Sequence, residues 1–151
     1  MVDVHRYHEI SESTHYILNP LSEEQLLLIG DICALREGQR HLDLASGKGE
    51  MLNQYAHRYG ITGVGVDVYP PYVELSRARA IELGVGEQVE FVQGEAGTYE
   101  SGSDTFDVVS CIGATWIGDG LAGTLRLMRA RVRDEGWLLV GDIFWKEEPP
   151  D

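Results

Sequence analysis

A turn of small residues, preceded by an acid, is the part of this sequence best suited to chemistry. The stretch "HLDLASGKGEML", residues 41–52, passes from an apolar run into the turn "ASGKG" at residues 45–49. Small residues let a ligand reach backbone N–H groups, and the helix that follows presents its positive end to that ligand. Asp43 stands before the turn, and Glu50 fits the electrostatics of a first helical turn. The pattern favours the binding of a polar ligand between a strand and a helix.

Two nucleotide-binding turns match this stretch incompletely. A P-loop requires Gly-x-x-x-x-Gly-Lys followed by Ser or Thr, but Gly49 follows Lys48, and Leu42 stands five positions before Gly47. A dinucleotide fingerprint requires a third Gly or Ala, and Leu52 occupies that place. The P-loop is therefore disfavoured, whereas a nicotinamide-dependent oxidoreductase stays open as a weaker alternative.

The elements that would position the turn alternate between strands and helices, which is typical of a parallel sheet built from βαβ units. We predict helices over residues 50–60, 70–84 and 120–136, the last with an apolar stripe that includes Met128 and Val132. The predicted strands are 40–45, 63–68, 89–93, 106–112 and 137–144. The sequence thus predicts an α/β fold.

The N-terminal part of the chain is predicted to be helical. Ser22 and Gln25 have the spacing of a capping box, and the helix that they begin should end near Gly38. We therefore divide the chain into a helical segment, 1–39, that caps or covers the remainder, and a ligand-binding domain, 40–151.

Four motifs in order resemble class I S-adenosylmethionine-dependent methyltransferases. "DLASGKG" at 43–49 is similar to the first motif of that family, with Ala45 in place of its first glycine. Asp67, "VQGEA" at 92–96 and "FDVVSCIGA" at 106–114 follow at the expected places, and "RDEGWLLVGD" at 133–142 looks like the last turn and strand. The resemblance implies a Rossmann-like three-layer sandwich with five parallel strands in the order 3-2-1-4-5. In that order, residues 94–105 cross the sheet as an irregular loop.

The resemblance also implies a place for S-adenosyl-L-methionine, with S-adenosyl-L-homocysteine as product. Asp43 would steady the ammonium end of the cofactor, and Ala45, Ser46 and Gly47 would lie against its methionyl part. Asp67 would accept hydrogen bonds from both ribose hydroxyls, a two-point contact that suits a carboxylate.

The remaining implied contacts concern the adenine and the sulfonium. Val68 would pack on the adenine ring, Glu95 would accept from its amino group, and the Ala96 N–H would donate to the ring. The family more often has Asp where Glu95 stands. Cys111 and Ile112 would line the cavity near the sulfonium.

Methyl transfer is an in-line displacement that requires orientation and exclusion of water rather than a nucleophilic residue of the protein. We therefore leave the catalytic residues unknown. His15 and Tyr16 could form a lid over the cofactor. The candidates for substrate-side work are Tyr7, His8, His15, Tyr16, Trp116 and Asp142. We expect no metal site, because His5 and His8 have no further ligands at a recognisable spacing.

Composition narrows the class of protein and of partner. The sequence has 151 residues, enough for one domain, with 12 Lys and Arg against 25 Asp and Glu, a net charge of −13. Such a charge disfavours nucleic acid as a partner and leaves a small molecule as the expected methyl acceptor. Two cysteines without paired spacing, and no apolar run long enough for a membrane span, favour a cytoplasmic protein without a membrane partner.

The sequence departs from the family pattern at its end. Family members extend the sheet beyond the fifth strand, and those strands are missing here, so we expect a fragment of a longer protein. The edge of the fifth strand, with Trp137 and Leu139, would then be uncovered and could form a homo-oligomer. A non-catalytic module that binds S-adenosylmethionine is accordingly kept as an alternative to a small-molecule methyltransferase.

Overall fold

The computed structural model describes residues 10–102 and 104–143. Its centre is one parallel sheet of five strands in the order β3-β2-β1-β4-β5, which confirms the predicted order. Tyr7, His8 and the predicted end of the fifth strand at residue 144 lie outside the described residues. The strands are β1 Arg40–Leu44, β2 Thr62–Asp67, β3 Val89–Gln93, β4 Phe106–Ile112 and β5 Val132–Gly141.

Helices cover both faces of the sheet and make three layers. Leu52, Tyr55 and Val73 belong to one apolar core, whereas Leu42 and Met128 belong to a second core on the opposite face. Because side chains alternate along a strand, Leu42 and Leu44 enter the second core while their neighbours face the first. The helices are α1 Glu23–Ile32, α2 Glu50–Tyr59, α3 Pro70–Glu82 and α4 Leu121–Arg129.

Helix α1 begins as predicted but ends early. The Ser22 hydroxyl accepts from the Gln25 N–H at 3.2 Å, and the Gln25 side chain accepts from the Ser22 N–H at 2.9 Å, which confirms the capping box. The helix ends at Ile32 and not near Gly38. Ala34 adopts a positive φ of 50°, and this turn directs Leu35 into the core, where it is 8% exposed.

The fifth strand begins earlier than predicted, and the assignment of Val132 to a helical stripe is wrong. Val132 pairs with Phe106 at the start of β5, and pairing resumes only at Trp137, opposite Val108. The intervening residues bulge from the sheet, with Glu135 at a positive φ of 61°. Arginines stand on both sides of the end of α4, so the composition does not change at the boundary between the helix and β5.

The connection from β3 to β4 is irregular in its described part, as expected, apart from a 3₁₀ turn at Ala96–Thr98. That turn packs closely on a second 3₁₀ turn after β4, since a Cβ on Gly97 would lie 2.2 Å from the Ile117 carbonyl oxygen. The two turns together form one wall above the carboxyl ends of the strands.

Within 10–102 and 104–143, none of the helices has the length and apolar character needed to cross a membrane.

Candidate functional site

A cavity of about 290 Å³ opens above the carboxyl ends of β1, β2 and β4. This is where parallel α/β sheets bind ligands, beside the point at which the strand order reverses. Every predicted cofactor residue except Cys111 lies in its wall: Asp43, Ala45, Ser46, Gly47, Asp67, Val68, Glu95, Ala96 and Ile112.

The turn after β1 is shaped by left-handed backbone. Ala45, Gly47 and Gly49 have φ values of 57°, 56° and 68°. This conformation costs an L-residue about 1–2 kcal/mol. That cost is the physical reason why the methyltransferase motif that this turn resembles has a glycine at the position of Ala45. A Cβ on Gly49 would lie 2.5 Å from the Phe91 ring, so the turn fits closely against β3. The result is a backbone surface with little side-chain cover.

Asp67 ends β2 and is tied to this turn. Its Oδ2 accepts the Gly47 N–H at 2.8 Å, and its Oδ1 accepts the Tyr69 N–H at 2.9 Å. The side chain is buried but reaches the cavity wall. Two backbone donors therefore fix the carboxylate in one orientation beside the bare turn.

Asp43 lies deeper, at the floor of the cavity, and is 5% exposed. The Ser110 hydroxyl of β4 donates to its Oδ1 at 2.5 Å. Burial raises the pKa of Asp43 to about 7, against the lowering effect of the Ser110 hydrogen bond, and the charge of Asp67 raises it further. Asp43 therefore changes its charge near neutral pH.

The opposite end of the cavity combines an apolar surface with polar groups. Val68, the apolar residue that directly follows β2, is 43% exposed. Glu95 is exposed, and Ala96 is buried at the start of the first 3₁₀ turn. An apolar side chain flanked by an acid and a backbone turn suits a planar heterocycle with an amino group.

Cys111 does not line the cavity, contrary to the expectation from the sequence. Its side chain is 0% exposed and belongs to the core that contains Leu42 and Met128, away from the cavity wall. Alternation along β4 turns Ser110 toward one face and Cys111 toward the other, so only Ile112 reaches the cavity. Burial raises the pKa of the Cys111 thiol to about 12.

Four of the candidates for substrate-side work lie within the described residues, and they separate into two pairs. Tyr16 and Trp116 line the cavity with side chains that are 54% and 71% exposed. His15 does not line it and instead contacts Glu12 at 2.8 Å. Asp142 also lies outside the cavity wall, accepts from Thr115 and from the Ile143 N–H, and has its pKa lowered chiefly by the Thr115 hydroxyl.

A segment of residues 12–19, here named the strap, crosses the cavity and is held by Lys48. The Lys48 ammonium donates to the carbonyl oxygens of Glu12 and His15 at 2.6 Å each. Leu18 of the strap contacts Gly47, since a Cβ there would lie 2.7 Å from Leu18 Cδ1. These contacts of Lys48 were not predicted from the sequence, in which their one signal is a lysine within a glycine turn.

Glu50 does more than complement the first turn of α2. It is 5% exposed, and both of its oxygens accept from Arg79 of α3, at 3.0 and 3.1 Å. The Arg79 guanidinium in turn lies 4.5 Å from the centre of the Tyr16 ring. The pair therefore links α2, α3 and the strap.

Among the described residues, no group of three His, Cys, Asp or Glu could hold a metal ion.

Comparisons with known proteins agree with this geometry. A family model described as a methyltransferase domain matches residues 42–136. The uncharacterized protein YjhP of Escherichia coli K12 is 40% identical over 148 residues, which are 98% of this chain and 59% of that protein. A ubiquinone/menaquinone biosynthesis C-methyltransferase, UbiE of Pseudomonas fluorescens, is 30% identical over 105 residues, 66% of this chain and 41% of that protein.

A solved structure is similar over the whole chain. The S-adenosylmethionine-dependent methyltransferase of Geobacter sulfurreducens, in complex with S-adenosyl-L-homocysteine, superimposes with a TM-score of 0.92 at 42% identity, covering 100% of this chain and 60% of that one. The chain thus spans 59% of YjhP and 60% of the Geobacter protein. It belongs to the class I, Rossmann-like family of S-adenosylmethionine-dependent methyltransferases, whose cofactor is S-adenosyl-L-methionine.

Proposed function

We propose that this chain binds S-adenosyl-L-methionine in the cavity above β1, β2 and β4 and methylates a small molecule there. The observation that carries the proposal is the link between Asp67 and the Gly47 N–H. It sets a ribose-binding carboxylate directly beside the bare turn that the methionyl part would contact.

The residues present fit the cofactor at each of its parts. Gly47 offers backbone without a side chain, and Asp43 offers a buried acceptor to the ammonium group. Asp67 is oriented for a two-point contact with the ribose hydroxyls. Val68 and Glu95 supply an apolar surface and an acceptor for the adenine.

The protein's part in the reaction is orientation and the exclusion of water. When bound, the sulfonium supplies an electrophilic methyl group, so no protein nucleophile is needed. The strap would limit the entry of water, because Lys48 and Leu18 hold it across the cavity. Tyr16 and Trp116, at the rim, are placed to contact an acceptor. The N-terminal segment is accordingly proposed to act as a lid.

A small acceptor suits both the size and the charge of the site. A cavity of about 290 Å³ is close to the size of small-molecule sites. The net charge of −13 disfavours a phosphate backbone. The similarity to UbiE supports a small organic acceptor and carbon as one candidate for the methylated atom.

Calorimetric titration and a transfer assay test the proposal separately. We expect S-adenosyl-L-homocysteine and S-adenosyl-L-methionine to bind the chain, and NAD not to bind. Transfer of labelled methyl from S-adenosyl-L-methionine is then followed with small phenols and quinols, with transfer RNA and with a protein mixture as acceptors. Binding with transfer to none of these favours a non-catalytic module, and transfer to RNA alone contradicts a small acceptor.

A further inference from the structure

Three buried side chains form a hydrogen-bonded chain under the cavity. His41 Nε2 lies 2.7 Å from Ser110 Oγ, and Ser110 Oγ lies 2.5 Å from Asp43 Oδ1. His41 is 1% exposed and Ser110 is 0% exposed, while Asp43 reaches the cavity wall. The sheet register places Ser110 opposite Asp43 across β1 and β4, so the contact is fixed by backbone pairing.

The number of protons on these side chains determines which group donates in each of the two hydrogen bonds. A serine hydroxyl has one proton, which Ser110 donates when Asp43 is ionised, and its lone pair then accepts from His41 Nε2–H. His41 Nδ1 is left as a bare acceptor, and it has no hydrogen-bond partner among the described residues. The reverse direction would bury an unpaired Nδ1–H donor, which proteins tolerate less well than an unpaired acceptor. Burial lowers the pKa of His41 to about 3, so the ring stays neutral.

We infer that His41 and Ser110 are positioning residues for Asp43, which orient its carboxylate and hold it ionised toward the ammonium end of the bound cofactor. The inference deepens the proposed function of this cavity and rests on it. Ser110 acts directly on the carboxylate, and His41 acts through Ser110. Neither His41 nor Ser110 lines the cavity.

The other groups around Asp43 do not replace this contact. Asp67 of β2 carries a like charge, and Tyr55 of α2 and the Cys111 thiol of β4 are neutral near pH 7 because burial raises the pKa of both. Lys48 of the turn is engaged by the strap carbonyls, and Glu50 of α2 by Arg79. The Ser110 hydroxyl is thus the group that opposes burial and the charge of Asp67.

The test measures how ligand binding depends on pH in wild type, Ser110→Ala and Ser110→Thr. S-adenosyl-L-homocysteine carries the ammonium group, whereas 5′-methylthioadenosine lacks the amino acid part and is the control ligand. We expect Ser110→Ala to weaken S-adenosyl-L-homocysteine binding about tenfold at pH 7, with the difference shrinking toward pH 9 as Asp43 ionises again. Binding of 5′-methylthioadenosine should be unchanged, and Ser110→Thr, which keeps the hydroxyl, should behave like wild type.

His41→Phe provides a second variant that keeps the ring stacked on Tyr55, 5.7 Å away between centroids. It removes the donor to Ser110 and should shift the pH profile in the same direction by a smaller amount. Titration of the ligand's own amine is common to all variants and cancels in the comparison.

The outcomes separate the inference from the proposed function. If neither ligand binds wild type, the proposed function fails and the positioning role fails with it. If both ligands bind but Ser110→Ala and His41→Phe keep the wild-type pH profile, only the positioning role is overturned. An equal loss for both ligands would likewise overturn it, because that result indicates general damage to the cavity.

Discussion

Asp67 Oδ2 accepts the backbone N–H of Gly47 at 2.8 Å, which joins the acid at the end of β2 to the bare turn after β1. The two residues are 20 positions apart, and the parallel pairing of β1 with β2 brings them together. One side chain thus both shapes the turn and presents a carboxylate to the cavity.

Replacement of Asp67 should weaken nucleoside binding. We expect Asp67→Ala to cost about 1–3 kcal/mol of S-adenosyl-L-homocysteine binding, because it removes two charge-assisted hydrogen bonds to the ribose and loosens the turn. Calorimetry measures the loss, and Glu74→Ala, which removes an exposed acid on α3, is the matched control. Affinity equal to that of the control would contradict the assignment of Asp67.

Release of the strap should speed the exchange of cofactor. Lys48→Met removes two hydrogen bonds from an ammonium group to strap carbonyls, and we expect S-adenosyl-L-homocysteine to dissociate at least about tenfold faster. Stopped-flow displacement measures the rate. Hydrogen exchange at residues 12–19 should rise in the same variant, and unchanged exchange there would show that Lys48 does not hold the strap.

Loss of the buried ion pair should destabilise the fold. Glu50→Ala leaves Arg79, whose side chain is 21% exposed, without its bidentate partner, and we expect unfolding to become easier by about 3 kcal/mol. Urea denaturation measures this change. Asp134→Ala is the control because its side chain is 94% exposed, and its effect should stay within about 0.5 kcal/mol. Equal effects for the two variants would contradict the structural role of Glu50.

Replacing Asp43 by a neutral residue should stabilise the ligand-free protein, and the gain in stability should depend on pH. The folded pKa of about 7 lies above the ordinary value of 3.8, so ionisation of Asp43 lowers stability as pH rises from about 4 to about 7. Asp43→Asn should therefore raise the free energy of unfolding by at most about 4 kcal/mol at pH 8 and change it little near pH 4. Denaturation at both pH values tests this, and a gain of the same size at each would be inconsistent with a titrating carboxyl.

The exposed edge of β5 leads to a proposal about assembly. Among the described residues, β5 is the strand at one edge of the sheet, and its Trp137 and Val140 are 45% and 39% exposed. We propose that this edge pairs with a second copy of the chain, and that Val140→Lys shifts the protein toward monomer. Light scattering over a range of concentrations is the measurement, and a stable wild-type monomer at high concentration would contradict the proposal.

The alternation of strands and helices could be predicted from local pattern, whereas the strand order and the residues of the cavity wall were expected from the resemblance of four motifs to the methyltransferase family. Residues at the ends of parallel strands meet at one edge, so the positions of Asp43, Asp67 and Ile112 required only the strand boundaries. Cys111 and Ile112 were both expected in the cavity wall, but neighbouring residues of a strand face opposite sides, so only Ile112 lines it.

Contacts between distant parts of the chain could not be predicted in this way. Lys48 binds backbone carbonyls 33 and 36 residues away, and carbonyls have no signature in a sequence. Arg79 of α3 binds Glu50 of α2. The sequence does not indicate this pair, because a charged residue on a helix usually faces solvent. The His41–Ser110 contact depends on the register of β1 against β4, which is a property of the assembled sheet.

The structure of this chain with S-adenosyl-L-homocysteine would show directly whether Asp67 holds the ribose. We expect ribose hydroxyls within hydrogen-bond distance of Asp67, the amino group facing Asp43 and the adenine against Val68. A ligand bound elsewhere, or in this cavity with its ribose away from Asp67, would contradict this expectation.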